Sequence, residues 1–227
     1  MDALSSRLHS LASTGDAITP RLLNRSSSAN EEALHELLEK GEIVHVCDDY
    51  QEQSRELFAI LNPSLVYTPE FETHFNEYYQ GLPDPLRAGI WVHFPWRAAL
   101  VHVLAAEDFY LVRTARNQNL IAPLEQQKFY NAHIGIAGLS VGSSVACALV
   151  LQGGAKNLRL ADMDRLALSN MNRILTGVHE LGELKVHMAA RRLYEMNPFA
   201  HIETFPDGLT EKNMLKSIVQ VSKIKLS

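Results

Sequence analysis

Asp162 and Asp164 close the short run LRLA and are followed by Ser169-Asn170-Met171-Asn172-Arg173 and then by Lys185. A carboxylate at a strand end can accept hydrogen bonds from paired hydroxyls such as those of a ribose. Amide groups and a guanidinium fork grip spread negative charge, and an ammonium adds a compact positive one. Taken singly, Arg173 and Lys185 would be solvated surface charges, and the aspartates would be loop caps. Their order argues otherwise. Upstream lies Gly138-Leu139-Ser140-Val141-Gly142-Ser143, between an apolar run and an uncharged small-residue helix. In such a strand–turn–helix unit the first glycine permits the tight turn, and the N–H groups that follow face a phosphate. Against the pattern GxGxxG, serines stand at the second and third glycine positions, so the turn alone is weak evidence. The full order of glycine turn, Asp, SNxNR and Lys is that of a nucleotide pocket. It favours a triphosphate over NAD, because a dehydrogenase has no need of a polar segment with arginine just past the ribose acid. The expected nucleotide contacts are Gly138, Ser140, Val141, Gly142, Asp162, Asp164, Ser169, Asn170 and Asn172. Arg173 and Lys185 are expected at the reacting phosphates.

The elements that must position these residues alternate. A strand from His133, the turn and a helix to Gln152 are followed by a strand at Leu158–Ala161. A helical turn near Leu168–Ile174 precedes a helix over Gly182–Met196, in which Leu184, Met188, Leu193 and Met196 share a face. Asn197-Pro198 ends it, Ile202–Phe205 is a third strand, and Thr210 can cap a final helix through Val219. This alternation predicts right-handed crossovers and a parallel sheet. The expected fold class is α/β, a Rossmann-like three-layer parallel sheet, incomplete, over residues 129–227. A mixed α/β region over 30–128 precedes it, and residues 1–29 read as a flexible arm with room for a short helix near Leu4–Leu11. Three parallel strands leave an open edge that needs cover.

Within 30–128, Asn30 is expected to cap a helix closed by Gly41, and Ile43–Cys47 reads as a buried strand. Asp48 or Asp49 is expected to cap a helix over Gln51–Leu61. Thr68-Pro69-Glu70 starts a helix to Gln80, Ile90–Phe94 is a strand, and Ala105–Asn117 and the stretch after Pro123 are helical. Trp91, His93, Trp96 and His102 match no metal-ligand spacing and read as core.

Composition narrows the classes. The chain has 227 residues, 46% of them hydrophobic, and a net charge of -5, which fits a globular protein and gives no basic footprint for nucleic acid. The two cysteines, Cys47 and Cys147, make no CxxC pair. A disulfide framework and a structural zinc site are therefore not expected, and a reducing, cytoplasmic setting is. The first residues lack the apolar core of a signal peptide. Ile134 to Ala155 is uncharged and contains Gly138-xxx-Gly142, but its clustered glycines and serines break the run, so no membrane span is expected.

The stretches GLSVGS, LADMD and LSNMNR, the later Lys185 and the MNPFAHI after its helix resemble the ThiF/MoeB/HesA superfamily, bacterial relatives of ubiquitin-activating enzymes. The resemblance implies ATP and magnesium, a homodimer, and adenylation of the C-terminal carboxylate of a ubiquitin-like or sulfur-carrier protein or a related peptide. By position it assigns Asp162 to the ribose, Asn170 and Arg173 to the phosphates, and Lys185 to their charge. Arg113-Thr-Ala-Arg116-Asn-Gln is similar to the family's RxxRQ segment with the glutamine displaced by one residue, and implies that Arg116 reaches into a partner subunit's site. The implied reaction is attack of the carrier carboxylate on the α-phosphate, with pyrophosphate leaving. The family's magnesium aspartate, catalytic cysteine and CxxC zinc pair have no match before Ser227, so the resemblance implies a C-terminally truncated domain or a remnant of one. Cys147, in the helix after the turn, reads as a packing residue. A glycine turn of this kind behind a long N-terminal region is also similar to larger proteins in which the domain precedes a nitroreductase-like flavin domain. Two readings stand beside adenylation: a non-catalytic nucleotide-binding or interaction subunit, and an NAD-dependent oxidoreductase.

Overall fold

A computed structural model describes residues 17–211. The strands β1 (Arg21–Leu23), β2 (His45–Asp48), β3 (Ile90–Phe94) and β4 (Ala99–Val103) form one sheet in the order β1-β3-β4-β2. Its pairs are antiparallel except β2 with β4. The strands β5 (His133–Ala137), β6 (Asn157–Ala161) and β7 (His201–Phe205) form a second sheet, parallel throughout. Among the described residues the helices are α1 (Ser28–Glu39), α2 (Tyr50–Leu61), α3 (Phe71–Gln80), α4 (Ala106–Thr114), α5 (Pro123–Tyr130), α6 (Leu139–Leu151) and α7 (Lys185–Met196).

Strand alternation decides what the parallel sheet buries. Ile134, Ile136, Leu158, Leu160 and Ile202 point to one face, where they pack with Ala146 and Val150 of α6 and with Val186, Ala190 and Leu193 of α7. Apart from Phe205, the alternate positions are polar or small. His133, Asn157, His201 and Glu203 line a shallow cleft of about 400 Å3 at the N-terminal ends of the strands. Across it the Arg159 Nε donates to Glu203 Oε2 at 2.9 Å, between directly paired residues of β6 and β7. This parallel sheet with its helices is the Rossmann-like arrangement expected.

The end of α6 is satisfied by side chains from the preceding segment. Arg113 Nη2 donates to Val150 O, Asn117 Nδ2 to Gln152 O and Gln126 Nε2 to Gly153 O, at 2.9, 3.1 and 3.1 Å. Donors at a helix C-terminus meet its free carbonyls and oppose its dipole. Burial lowers the pKa of Arg113 from its usual value. A shared apolar cluster adds a second junction, in which Val92, Phe94 and Val103 of the first sheet pack with Tyr194, Phe199 and Ala200.

In the first sheet the polar groups around His102 are satisfied internally. His102 lies between Trp91 and Tyr50, with ring centroids 4.2 and 4.3 Å away and nearly parallel planes. Its Nδ1 is 2.9 Å from Asp48 Oδ1, and its Nε2 is 2.8 Å from Ala88 O. The aromatic and histidine residues of this run are therefore packing partners, as their spacing suggests. Asp48 also accepts the Tyr50 N–H at the start of α2, while the Asp49 side chain makes no cap.

Four differences from the sequence reading have local causes. Arg21–Leu23, placed in the arm, pairs with β3, because its backbone completes that strand's outer edge. The strand expected at Ile43–Cys47 begins at His45, and all four residues of β2 are exposed because it is an edge strand, not a buried one. The helix expected behind Asn30 starts at Ser28, and Asn30 instead donates its side-chain N–H to Asn24 O. The strand β4 was not anticipated. Its hairpin with β3 turns through Pro95–Arg97 and Ala98, whose φ of 46° is a left-handed value normally marked in sequence by glycine or asparagine. The helices expected near Leu4–Leu11 and, beyond Glu211, up to Val219 lie outside the described residues.

Candidate nucleotide site

The glycine turn sits between β5 and α6. Gly138 has φ +82°, and its N–H donates to Ala161 O at 2.8 Å, which draws the turn against the end of β6. The next N–H, that of Leu139, donates to Asp162 Oδ2 at 2.6 Å, and the Asp164 N–H donates to Asp162 Oδ1 at 2.8 Å. Asp162 is 8% exposed. Each of its oxygens thus holds a backbone amide, one at the start of α6 and one in its own loop. A side-chain cap of this kind contributes about 1 kcal/mol. Gly142 is required by close approach, since a Cβ there would lie 2.7 Å from Ile136 Cγ2.

Lys185 is the first residue of α7, and its N–H donates to Asp164 O at 2.9 Å. Its Nζ donates to Asp164 Oδ2 at 2.8 Å and lies 3.3 Å from Ser140 Oγ, in the first turn of α6. The lysine side chain is 5% exposed and that of Asp164 is 63% exposed. A cation at a helix N-terminus is opposed by the helix dipole, at a cost of roughly 0.3–1 kcal/mol. Here the first turns of two helices meet at one buried ammonium, and the carboxylate that answers it stands largely in water. Such a focus of positive potential is suited to an anion with several oxygens. Beside it a mostly apolar groove of about 230 Å3, lined by Leu139, Cys147, Leu175, Lys185 and Met188 among others, opens between α6 and α7. The larger cleft at the other ends of the strands contains none of these polar groups. Ligands of open parallel sheets bind outside the carboxyl ends of the strands, where Gly138 and Asp162 stand.

The polar segment after β6 is held by its own amides. Asn170 Oδ1 accepts the Ala167 N–H at 3.1 Å, and Asn170 O accepts the N–H groups of Arg173 and Ile174, both at 3.1 Å. Ile174 anchors the loop by packing with Leu166 and Met188. Arg173 Nη1 donates to Asn172 Oδ1 at 2.9 Å, and Ser169, Asn172 and Arg173 are exposed. Arg116 is exposed on the short turn Ala115–Asn117 after α4. Val141 is 67% exposed on α6.

The fold therefore brings Gly138, Ser140, Asp162, Asp164 and Lys185 together. No hydrogen bond or ion pair among the described residues joins Ser169, Asn172, Arg173 or Arg116 to that group. Spacing in the sequence points to Asp162 as the ribose acid, but its oxygens hold amides and Asp164 has the open carboxylate. The sequence signal was present in the D-x-D form, because an aspartate that accepts the N–H two residues on makes a turn of its own.

A parallel sheet with a glycine turn, a carboxylate-capped helix start and a buried lysine at the strands' carboxyl ends defines a domain of Rossmann type. Residues 113–224 belong to the ThiF family. The chain is 36% identical over 158 residues to an uncharacterized protein of Mycobacterium tuberculosis, covering 67% of this chain and 22% of that one. It is 27% identical to a sulfur carrier protein adenylyltransferase of Thermus thermophilus, covering 42% of this chain and 36% of that protein. A crystal structure of E. coli tRNA N6-threonylcarbamoyladenosine dehydratase in complex with ATP is similar at 27% identity and a TM-score of 0.47, covering 51% of this chain and 48% of that one. The chain thus spans less than half the length of each of these proteins.

Proposed function

We propose that this chain is the nucleotide-binding part of an adenylating protein, which uses ATP to activate the C-terminal carboxylate of a ubiquitin-like or sulfur-carrier protein. The observation that carries this reading is the buried Lys185 ammonium between Ser140 of the glycine turn and the exposed Asp164. ATP lies with its phosphates at the starts of α6 and α7. Asp164, with its open edge, accepts from the ribose hydroxyls, and Asp162 keeps the turn closed beneath them. Lys185 holds phosphate charge. Asn170 shapes the loop from which Arg173, Ser169 and Asn172 turn toward the phosphates once those are present. The carrier carboxylate attacks the α-phosphate and pyrophosphate leaves. The protein's part is positioning and charge stabilisation, since no side chain need form a covalent bond. The match to the adenylyltransferase of Thermus supports a carrier protein as the second substrate.

Magnesium does not fit a site made by these residues alone. Among the described residues no three His, Cys, Asp or Glu side chains cluster to hold a metal, and the carboxylates of Asp162 and Asp164 hold amides and Lys185.

A homodimer extends the reading. The helix α6 is uncharged, yet Val141, Val145 and Leu151 are 67, 50 and 60% exposed. An uncharged helix left open to water calls for a cover. A second copy seated there brings its own Arg116 toward the phosphates. A reducing, cytoplasmic setting is part of this reading, and no helix among the described residues is long and apolar enough to cross a membrane.

A second reading is a pocket that binds nucleotide without turning it over. The separation of Arg173 from Lys185 favours it, because the Arg173 guanidinium donates to its neighbour Asn172 rather than into the site. Stabilisation of the purified chain by ATP tests both readings, since a 100-fold excess over Kd adds about 2.7 kcal/mol. No stabilisation by ATP refutes both. ATP–pyrophosphate exchange with a candidate carrier separates them.

A further inference from the structure

Among the described residues the Lys185 ammonium has two partners, and one stands where the glycine pattern has no side chain. Ser140 is the second residue of α6, and its Oγ lies 3.3 Å from Lys185 Nζ. A glycine at that place would leave Lys185 to Asp164 alone. Asp164 is a solvent-exposed partner for a buried charge, with 63% of its side chain in water. It is also the carboxylate open to ribose hydroxyls, and it cannot fully serve both. When Asp164 turns away, the ammonium faces the positive ends of two helices without a counter-charge. Both dipoles then push it toward solvent, and an unpaired buried charge is costly. A hydroxyl solves this without adding a charge. Its oxygen accepts from the ammonium, and its own proton is free to be donated to an anion.

We propose that Ser140 is a positioning residue of this site, whose hydroxyl keeps Lys185 in the cleft while Asp164 exchanges from the lysine to the nucleotide. Lys185 then presents its remaining protons to the phosphates from a fixed place. The ligand side of this inference rests on the ATP reading above, and the lysine side does not.

Two measurements on the full chain test it. The first uses no nucleotide: the rate at which an amine-reactive anhydride modifies Lys185, followed by mass spectrometry. Hydrogen bonds to charged groups contribute enough that Ser140→Ala should speed labelling by about tenfold or more. Ser140→Thr, which restores the hydroxyl, should return it to the wild-type rate. Equal rates in wild type and Ser140→Ala overturn the proposal. The second measures affinity for ATP and for AMP by calorimetry. Ser140→Ala should weaken ATP by about tenfold or more and AMP by less than about threefold, with Thr restoring ATP. Equal loss for both nucleotides also overturns it, because Ser140 would then support the turn as a whole. A wild-type chain that binds neither nucleotide refutes the function proposed above, and the labelling rates still decide whether Ser140 holds Lys185.

Discussion

The two sheets use the same kinds of side chain to opposite ends. In the first, Asp48, His102, Trp91 and Tyr50 close on one another, and both imidazole nitrogens of His102 face an acceptor. In the second, Asp162 is closed in the same way, but Asp164 and Lys185 are not. Lys185 is buried with its counter-charge in water, at a helix end that repels it. A polar cluster whose partners are all internal holds a fold together. One that leaves a charge under-compensated beside a cleft has capacity for a ligand. Residue type does not separate the two cases, since each cluster sets an aspartate against a nitrogen-bearing side chain, His102 in the first and Lys185 in the second.

The sharpest way to break this contrast is to remove Lys185. Lys185→Ala should lower ATP-dependent pyrophosphate exchange by on the order of 10³ or more, the scale seen when a charge-stabilising cation is lost in phosphoryl transfer. The fold should survive, because the Asp164 carboxylate left behind already faces water. Arg173→Ala should have a comparable effect on exchange if its loop closes on the phosphates. Retention of near wild-type exchange by Arg173→Ala would leave Lys185 as the phosphate residue and remove Arg173 from the chemistry.

The opposite experiment belongs to the first sheet. His102→Ala deletes a ring held between two others and strands Asp48. Large-to-small changes of this type cost about 2–5 kcal/mol, so urea denaturation should show a loss of that size. The ATP affinity of the folded fraction should not change. A loss of ATP binding in folded His102→Ala would mean that the two clusters are coupled, and the division drawn between them would fail.

Much of the second sheet was legible because local signals agree with one another. The strand, glycine turn and helix over His133–Leu151, the strand ending at Ala161 and the helix ending before Asn197-Pro198 each carry a start, a period and a stop. The first sheet was harder. A three-residue strand such as Arg21–Leu23 has no period to read, and the turn at Ala98 takes a left-handed residue without a glycine to announce it. At the site, residue types were legible and their roles less so. Both aspartates of LADMD stand out, but which one holds amides depends on the Leu139 N–H, which the crossover brings from the preceding helix. Ser140 stands in the sequence as a departure from the glycine pattern and as an expected nucleotide contact. Its reach to Lys185 joins residues 45 positions apart and is invisible until the helices α6 and α7 are placed side by side.

The exposed face of α6 offers a test of intermediate size. Val145→Asp places a carboxylate on the uncharged face proposed to meet a second copy, without touching Lys185 or Asp164. Light scattering should change from dimer to monomer, and exchange activity should fall because Arg116 of a partner no longer reaches the phosphates. ATP affinity should fall less than activity. A wild-type monomer, or a dimer unchanged by Val145→Asp, would remove this face from the assembly.

The smallest effects lie in pH dependence, and they too distinguish the sheets. Burial lowers the pKa of His93 from the usual histidine value; the Glu42 carbonyl and the charge of Glu42 raise it in part, and Arg21 lowers it further. The unfolded chain then takes up a proton near pH 6.5 while the folded one does not. Stability from this residue is complete above that pH and is lost as pH falls through it. Burial raises the pKa of Tyr50, and also those of Tyr110 and Tyr130 at the junction before β5. Their phenols stay protonated in the fold when the unfolded chain begins to ionise near pH 10, so stability is complete below that pH and falls as pH rises above it. These groups should therefore give the chain a stability plateau between these limits. His93→Phe keeps a ring in place and removes the titrating group, whose Nδ1 has no partner among the described residues. Its unfolding free energy should fall less than the wild type's between pH 7 and pH 5, as measured by urea titration. If the acid limb kept its slope, it would arise elsewhere, and His93 would shape the sheet without setting its pH range.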